Sequence, residues 1–555
     1  MTRDDPGIPG VVQRPLDLFV FADGDPEKMQ LMMDKGVFPW TTDPHLKLAF
    51  FRPLSAATHQ LDRAIAPESP GFAHAHNLLW FAALLLVLGA LYRRLHLTPW
   101  VAGLALLLFA IDDTHGPTLG WVANRQALIA ATVAFSALIL HDRWRRNGWN
   151  AGRWLGPLVY GVSLLAGESA LALTGFLFAY ALCLDRGPMR TRALSLSGFA
   201  LVTIIWMVGY SVAGYGAARS GVYVDPGADP VDFIGLVAVH APVLLTSQMS
   251  GLLSDVFAVL SDGWDVLYVS VCLVYLILLL DVLKVVLAKS ALARFWALSM
   301  VLAVIPICST APADRLLIFV GVAAMGLVAT FLYAPEGVSG VRSPSKIRRF
   351  SVKAWTWGLV FTHLIAAPIF LPLRAQTMTT VNGALERSYD SIPNTPEVEA
   401  QTVIAVNPPS DPYMAYVPLM RASRRDHVPG RQRWLAVGQS DVTVTREDGQ
   451  TLLVRPEAGY LALSPEQLVR RPENRFKVGE VVSLAGVDVT VTALTADGRP
   501  AESRWRFEKP LEDPGYVWLR WGDEALSFVP FELPASGATV TLEAVDTIRA
   551  FVGDF

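Results

Sequence analysis

Between Leu106 and His141 the chain reads LLLFAIDDTHGPTLGWVANRQALIAATVAFSALILH, two apolar runs joined by a polar hinge. The hinge holds Asp112, Asp113 and His115, and Arg125 lies ten residues beyond His115. Hydrocarbon has no water to solvate a charge, so ionised side chains at the ends of membrane segments are costly and tend to be functional. A hairpin of two spanning helices places such a hinge at the membrane surface. The expectation is that it floors an active site opening on the non-cytoplasmic side.

The same apolar pattern recurs along the first two thirds of the chain. Segments near Asn77–Leu95, Trp100–Ile111, Trp121–Leu140, Leu155–Ala166, Ser169–Leu184, Leu194–Ala213, Trp264–Val286, Ala293–Cys308, Leu316–Tyr333 and Ala354–Leu373 are predicted helices. Most approach the ~20 residues needed to cross ~30 Å of hydrocarbon. Val231–Leu260 is amphipathic and reads as an interfacial or re-entrant hairpin. The fold class is therefore an α-helical polytopic membrane protein of about ten transmembrane segments. A hydrophobic share of 52% over 555 residues agrees, being too high for an ordinary soluble chain. The net charge of -3 argues against a nucleic-acid partner. Cys183, Cys272 and Cys308 all lie in apolar runs without metal-ligand spacing, so they read as core residues.

Loop charge sets the orientation, because Lys and Arg accumulate in cytoplasmic loops. Arg93 and Arg94; Arg143, Arg145 and Arg146; Arg186, Arg190 and Arg192; Lys284, Lys289 and Arg294; and Arg342, Lys346, Arg348 and Arg349 alternate with low-charge loops. This threading makes a multi-pass integral protein, in the plasma membrane if bacterial. It puts residues 1–76, the 112–120 hinge and everything after Arg374 outside. The 1–76 segment has no apolar run before it, so a further N-terminal helix is expected upstream.

Three regions follow: an outer loop over 1–76, a transmembrane domain over 77–375, and an extracytoplasmic β-rich domain over 376–555. In the last, Val, Thr and aromatic residues alternate at period two between Asp-Gly and Pro breaks, as in EVVSLAGVDVTVTALTADG. An α/β piece is expected over 403–445 and a β-sandwich over 475–555.

Two adjacent carboxylates and an imidazole at 112–115 can act as general base, hold a sugar hydroxyl or bind a divalent cation, readings that charges at membrane depth favour over plain helix capping. A buried Arg125 needs an anion, either a phosphate or a carboxylate such as Glu168. Arg52, before Pro53, is presented from a turn. His74, His76 and Asn77 enter a helix, and Trp121 opens another, one turn before Arg125. Asp314 and Arg315 open a helix after Pro312, as a cap or as a second cationic contact to a phosphate.

Taken together, these strings resemble membrane glycosyltransferases of the GT-C type, nearest to protein O-mannosyltransferase relatives and the transmembrane-TPR mannosyltransferases. FFRPLS and HAHNLLW match a "YRPL" stretch and an "H..N" helix entry through Arg52, Pro53, Leu54 and Asn77. LFAIDDTHGPTLGWVANR aligns without gaps to "LFALHPVHTEAVAWVAGR", keeping His115, Trp121 and Arg125. AGESALAL keeps Glu168 and Ser169 of "SKESAL", and Asp314–Arg315 matches a late "DR". Asp112–Asp113 replace His-Pro, Pro117 replaces Glu and Gly167 replaces Lys. The carboxylate that normally follows the family's first helix has no clear counterpart; Asp4, Asp5, Asp23 and Asp25 are stand-ins.

The resemblance implies transfer of a sugar from a polyprenyl-phosphate-linked lipid to a glycan or protein acceptor on the outer side. Asp112, Asp113 and His115 are the expected catalytic groups. Arg52, Arg125 and Arg315 are the expected phosphate contacts, with Glu168, Asn77, Asp314 and Trp121 supporting. A divalent cation is one candidate cofactor. A non-catalytic GT-C-like scaffold that displays the β domain is the alternative. A transporter is disfavoured by the lack of an inverted repeat.

Overall fold

In the computed structural model, the described residues are 16–67, 69–95, 98–260, 263–333 and 346–553. The expectations for Asp4, Asp5 and Arg342 lie outside them.

Every one of the ten predicted apolar segments is helical. Among the described residues, six helices are long and apolar enough to cross a membrane: Pro70–Leu95, Val122–Asn147, Met189–Val212, Pro230–Ser250, Trp264–Lys289 and Lys346–Ser391. Pro99–Ala110, Glu168–Cys183, Ala291–Ile307 and Ile318–Tyr333 are shorter apolar helices. Local signals set their ends. Proline opens Pro70–Leu95 and Pro99–Ala110, where its missing N–H costs nothing. Gly148, at φ 70°, closes the helix that begins at Arg125.

Ile318–Tyr333 is buried on nearly every side and forms the centre of the bundle. The outer helices expose Leu201, Ile204, Ile205, Leu267, Ile277 and Leu280. In water, such a surface would drive aggregation; in a bilayer it costs nothing. The 231–260 stretch differs from the expected hairpin. Its first part is one helix, Pro230–Ser250, whose residues from Pro242 to Met249 pack into the bundle.

The basic loops share ends of the bundle. Arg94 and Arg146 both pair with Asp142, and Arg145 pairs with Asp185 at 2.7 Å. Arg348 pairs with Asp281.

The tail is β-rich. A six-stranded antiparallel sheet runs in the order Thr539–Leu542, Val442–Arg446, Thr451–Pro456, Pro500–Phe507, Val487–Leu494, Val481–Leu484. A four-stranded sheet has the order Ser527–Pro530, Tyr516–Gly522, Thr402–Ala405, Arg431–Trp434. Its last two strands are parallel neighbours joined through the helices Pro412–Ala415 and Val417–Arg424. The expected α/β piece and sandwich thus exchange strands: Tyr516–Gly522 pairs with Thr402–Ala405, and Thr539–Leu542 with Val442–Arg446.

The N-terminal region, expected as a loop, is built into this unit. Asp25 caps the helix Pro26–Lys35, and Gly36 at φ 79° ends it. Met29, Met32 and Met33 pack with Trp40, Val454, Phe476, Val489 and Trp505 in one core. Gln432 donates to Gly36 O at 2.7 Å, and Arg470 to Thr41 O at 2.6 Å. Val20–Asp23, Lys47–Ala49 and Gly216–Ala218 form a small sheet beside it. Residues 16–50 and the tail therefore belong to one folded unit. The Lys346–Ser391 helix, with a π-helical turn at Phe361–Ala366, runs from the bundle into the tail's second core through Ala384, Leu385 and Tyr389.

Candidate functional site

The expected site residues fall into three separate clusters. In the first, Arg125 is fully buried where its helix begins. A guanidinium without water needs an anion and acceptors. Arg125 Nη1 lies 2.6 Å from Asp62 Oδ2, and Nη2 donates to Ala73 O at 2.8 Å. The other Asp62 oxygen sits 2.5 Å from His76 Nδ1. Arg125 thus meets a carboxylate, as burial demands, but the partner is Asp62, not Glu168.

Asp62 also lines an open cavity of about 870 Å³. Its walls come from residues 18–21, the helix Pro53–Ile65, the turn before Pro70, Val122 and Ala123, and residues 423–425 of the tail. His59, one turn before Asp62, shares the wall; its Nε2 is shielded and unpartnered. Burial first, then the Arg125 charge, pushes the His59 imidazole down to about 4, so it is neutral. Arg63 and Arg425 line the same cavity, and neither has an ion-pair partner among the described residues.

The second cluster holds Arg52 and Glu168, paired at 2.7 Å. The guanidinium lies over Phe50, 4.6 Å from the ring centroid, and Tyr210 donates to Glu168 at 3.2 Å. Leu54 N and Ser55 Oγ bond to Leu165 O and Ala166 O. This cluster ties the Pro53–Ile65 helix to the Gly167 turn.

The third contains the hinge. Asp112 accepts from Thr114 N, Thr114 Oγ1 and Gln248 Nε2, the last at 2.7 Å. Asp113 pairs with Arg374 at 2.9 Å. Arg374 also reaches Asp314 at 2.5 Å and Asp255 at 3.5 Å. Asp314 accepts in addition from Ser247 and Ser254. Burial raises both hinge carboxyls above their usual range, and Asp112 raises Asp113 further. His115 packs between Phe109 and Phe81, and burial drives it down to about 4. The backbone closes tightly here: a Cβ at Gly120 would stand 1.9 Å from Ala375 O. The hinge is a packed junction, with its carboxylates on Arg374, Gln248 and Thr114.

Asn77 donates to Thr118 O and Leu119 O and so fastens the hinge to its neighbouring helix. Arg315 stacks over Trp121 at 5.3 Å. Among the described residues, no three His, Cys, Asp or Glu side chains converge as a metal cage.

Sequence reasoning missed Asp62, His59, Arg63 and Arg374. The first pair had a signal: His59 and Asp62 are three apart in a helix opened by Pro53, and so share a face. Comparison of the chain with protein-family models and with curated proteins gave no match.

Proposed function

We propose that the chain is a membrane glycosyltransferase of the GT-C kind, moving a sugar from a polyprenyl-phosphate donor to an acceptor on the side that carries the β-rich unit. In this reading the four shorter apolar helices and Gly152–Leu164 also cross, whereas Pro230–Ser250 stays on the outer side, one end held through Asp229 to Arg471 and the other through Ser247 to Asp314; that gives ten spans with the basic loops facing the cytoplasm. The soluble unit is then extracytoplasmic.

The observation that carries the proposal is the cavity where the bundle meets the tail, with one carboxylate on its wall and unpaired guanidiniums beside it. Asp62 takes the role first expected of Asp112 and Asp113, because those carboxylates are engaged inside a closed junction. The acceptor hydroxyl attacks the anomeric carbon, and its proton passes to Asp62. The bond from that carbon to the phosphate oxygen breaks with inversion. The released polyprenyl phosphate is stabilised by Arg63 and Arg425. Arg125 and His76 fix the Asp62 carboxylate in position.

The scaffold reading has one specific observation behind it, the saturation of the hinge by Arg374. Purified protein in nanodiscs, incubated with radiolabelled polyprenyl-phosphate hexoses, separates the two. Transfer or donor hydrolysis that disappears in Asp62→Asn supports the enzyme. Donor binding and turnover both absent across the donor panel support the scaffold.

A further inference from the structure

The helix Pro53–Ile65 has a face that the cavity does not use. Its cavity side carries His59, Asp62 and Arg63. On the opposite side Ala57, Leu61, Ala64 and Ile65 follow one another at helical spacing and form an uncharged stripe. All four are exposed, Leu61 by 50% and Ile65 by 59%, and none lines the cavity. Both ends of the helix are fixed to one end of the bundle. Leu54 N donates to Leu165 O and Ser55 Oγ to Ala166 O, where Gly152–Leu164 has just ended. Asp62 holds Arg125, the first residue of its helix, and His76, near the start of Pro70–Leu95. The Pro53–Ile65 helix therefore runs across the end of the bundle and is not a continuation of any span.

Its depth follows from helix length. Arg125 also donates to Ala73 O, so the crossing helix meets Pro70–Leu95 between Ala73 and His76. From Ala73 to Arg93, at the basic end, the chain rises by ~30 Å at 1.5 Å per residue. The hydrocarbon of a bilayer is also ~30 Å thick. With Arg93 and Arg94 at one boundary, Asp62 lies at the other. Leu78 and Leu79, just inside that level, are exposed as lipid-facing residues are, and the stripe carries the apolar surface on to the boundary. A protein partner fits poorly, because a thirteen-residue helix only ~20 Å long offers far less than the ~800 Å² a side of a stable interface. We propose that Pro53–Ile65 is an interfacial helix docked on the bilayer, with Leu61 and Ile65 set in the acyl chains and Arg63 on the headgroup side. The cavity behind it then opens at headgroup depth. This placement goes beyond the transfer reading and holds for an enzyme and a scaffold alike.

Spin labels on the full chain in phosphatidylcholine nanodiscs test this. In a background of Cys183→Ala, Cys272→Ala and Cys308→Ala, labels are placed through Leu61→Cys and Ile65→Cys, all exposed positions that tolerate a new side chain. Leu79→Cys gives the lipid reference and Val478→Cys, exposed in the tail, the water reference. Collisions with oxygen, which concentrates in hydrocarbon, are compared with collisions with a water-soluble nickel chelate. At Leu61 and Ile65 the oxygen-to-nickel ratio should shift from the Val478 value to near the Leu79 value. A ratio at either position equal to that at Val478 overturns the proposal in favour of a water-facing helix. Shielding from both reagents overturns it in favour of a protein cover. Should the cysteine-free chain fail to fold, the unaltered chain is irradiated in nanodiscs whose lipids carry a diazirine on the acyl chain. Adducts are expected on the peptide holding Leu61 and Ile65. Adducts at Leu78 and Leu79 without any on that peptide overturn the proposal.

Discussion

Replacing Asp62 by Asn removes one charge and almost no volume, which makes it the sharpest probe of the buried pair. In the native chain, Arg125 is fully buried and Asp62 Oδ2 lies 2.6 Å from Nη1. After the substitution, the guanidinium keeps the Ala73 carbonyl and His76, neither of which carries a negative charge. An uncompensated buried charge of this kind costs about 3–5 kcal/mol. Arg125→Met should cost less, because Asp62 stands at the cavity wall and retains His76. The double variant should recover part of the loss, with a coupling of at least about 2 kcal/mol, since without Arg125 no buried guanidinium is left stranded. Glu168→Gln is the control: its pair with Arg52 is partly solvated and should be worth about 1 kcal/mol or less. Unfolding in mixed micelles, followed by circular dichroism, gives all four values. If Asp62→Asn costs under about 1 kcal/mol, or if the two changes simply add, the pair does not anchor the start of the Arg125 helix. The catalytic geometry drawn from it then falls as well.

Three further outcomes are expected. Arg374→Met should destabilise by about 3–5 kcal/mol, as it strands Asp113 and Asp314 together, and adding Asp113→Asn should restore part of this in the same unfolding assay. Gly120→Ala should lower the melting temperature far more than Gly103→Ala, because its Cβ meets the Ala375 carbonyl whereas Gly103 has open space. The third concerns pH. Asp411 rises from 3.8 to about 6 and Glu466 from 4.5 to about 7, so the folded chain holds protons that the unfolded chain releases. Their contribution to stability is full below about pH 4 and is lost as pH rises through 6 to 7. The Asp411 share is about 3 kcal/mol, so melting curves across that window should flatten in Asp411→Asn.

Much of the bundle was legible because apolar runs of helical length leave few alternatives in a chain of this composition. The misread parts share a cause. Met29, Met32 and Met33 carry helical spacing, yet the core they enter is supplied by residues some 400 positions away, which no local pattern reveals. The strands of the tail were visible from alternation, but pairing was not: Thr402–Ala405 lies between Arg431–Trp434 and Tyr516–Gly522. At the candidate site, the need of Arg125 for an anion followed from burial alone. Its choice of Asp62 over Glu168 followed from the packing of the Pro53–Ile65 helix, and Arg374 was read only as the end of a span. Charge demand is local, whereas charge supply depends on tertiary fold.

The core formed by Met29, Met32 and Met33 with the sheet of the tail has a consequence in time. The Gly36–Gln432 bond joins residues 396 positions apart, with the whole bundle synthesised between them. At ribosomal speeds of about 5–20 residues per second, the emerging N-terminal segment waits roughly 20–80 s for its partners. Throughout that interval its methionine face is bare. Biogenesis thus hands the cell a half-finished interface that must be shielded from proteolysis and from other nascent chains until the last strands arrive. Stalling synthesis before residue 400 should leave the segment open to added protease, and completing the chain should close it.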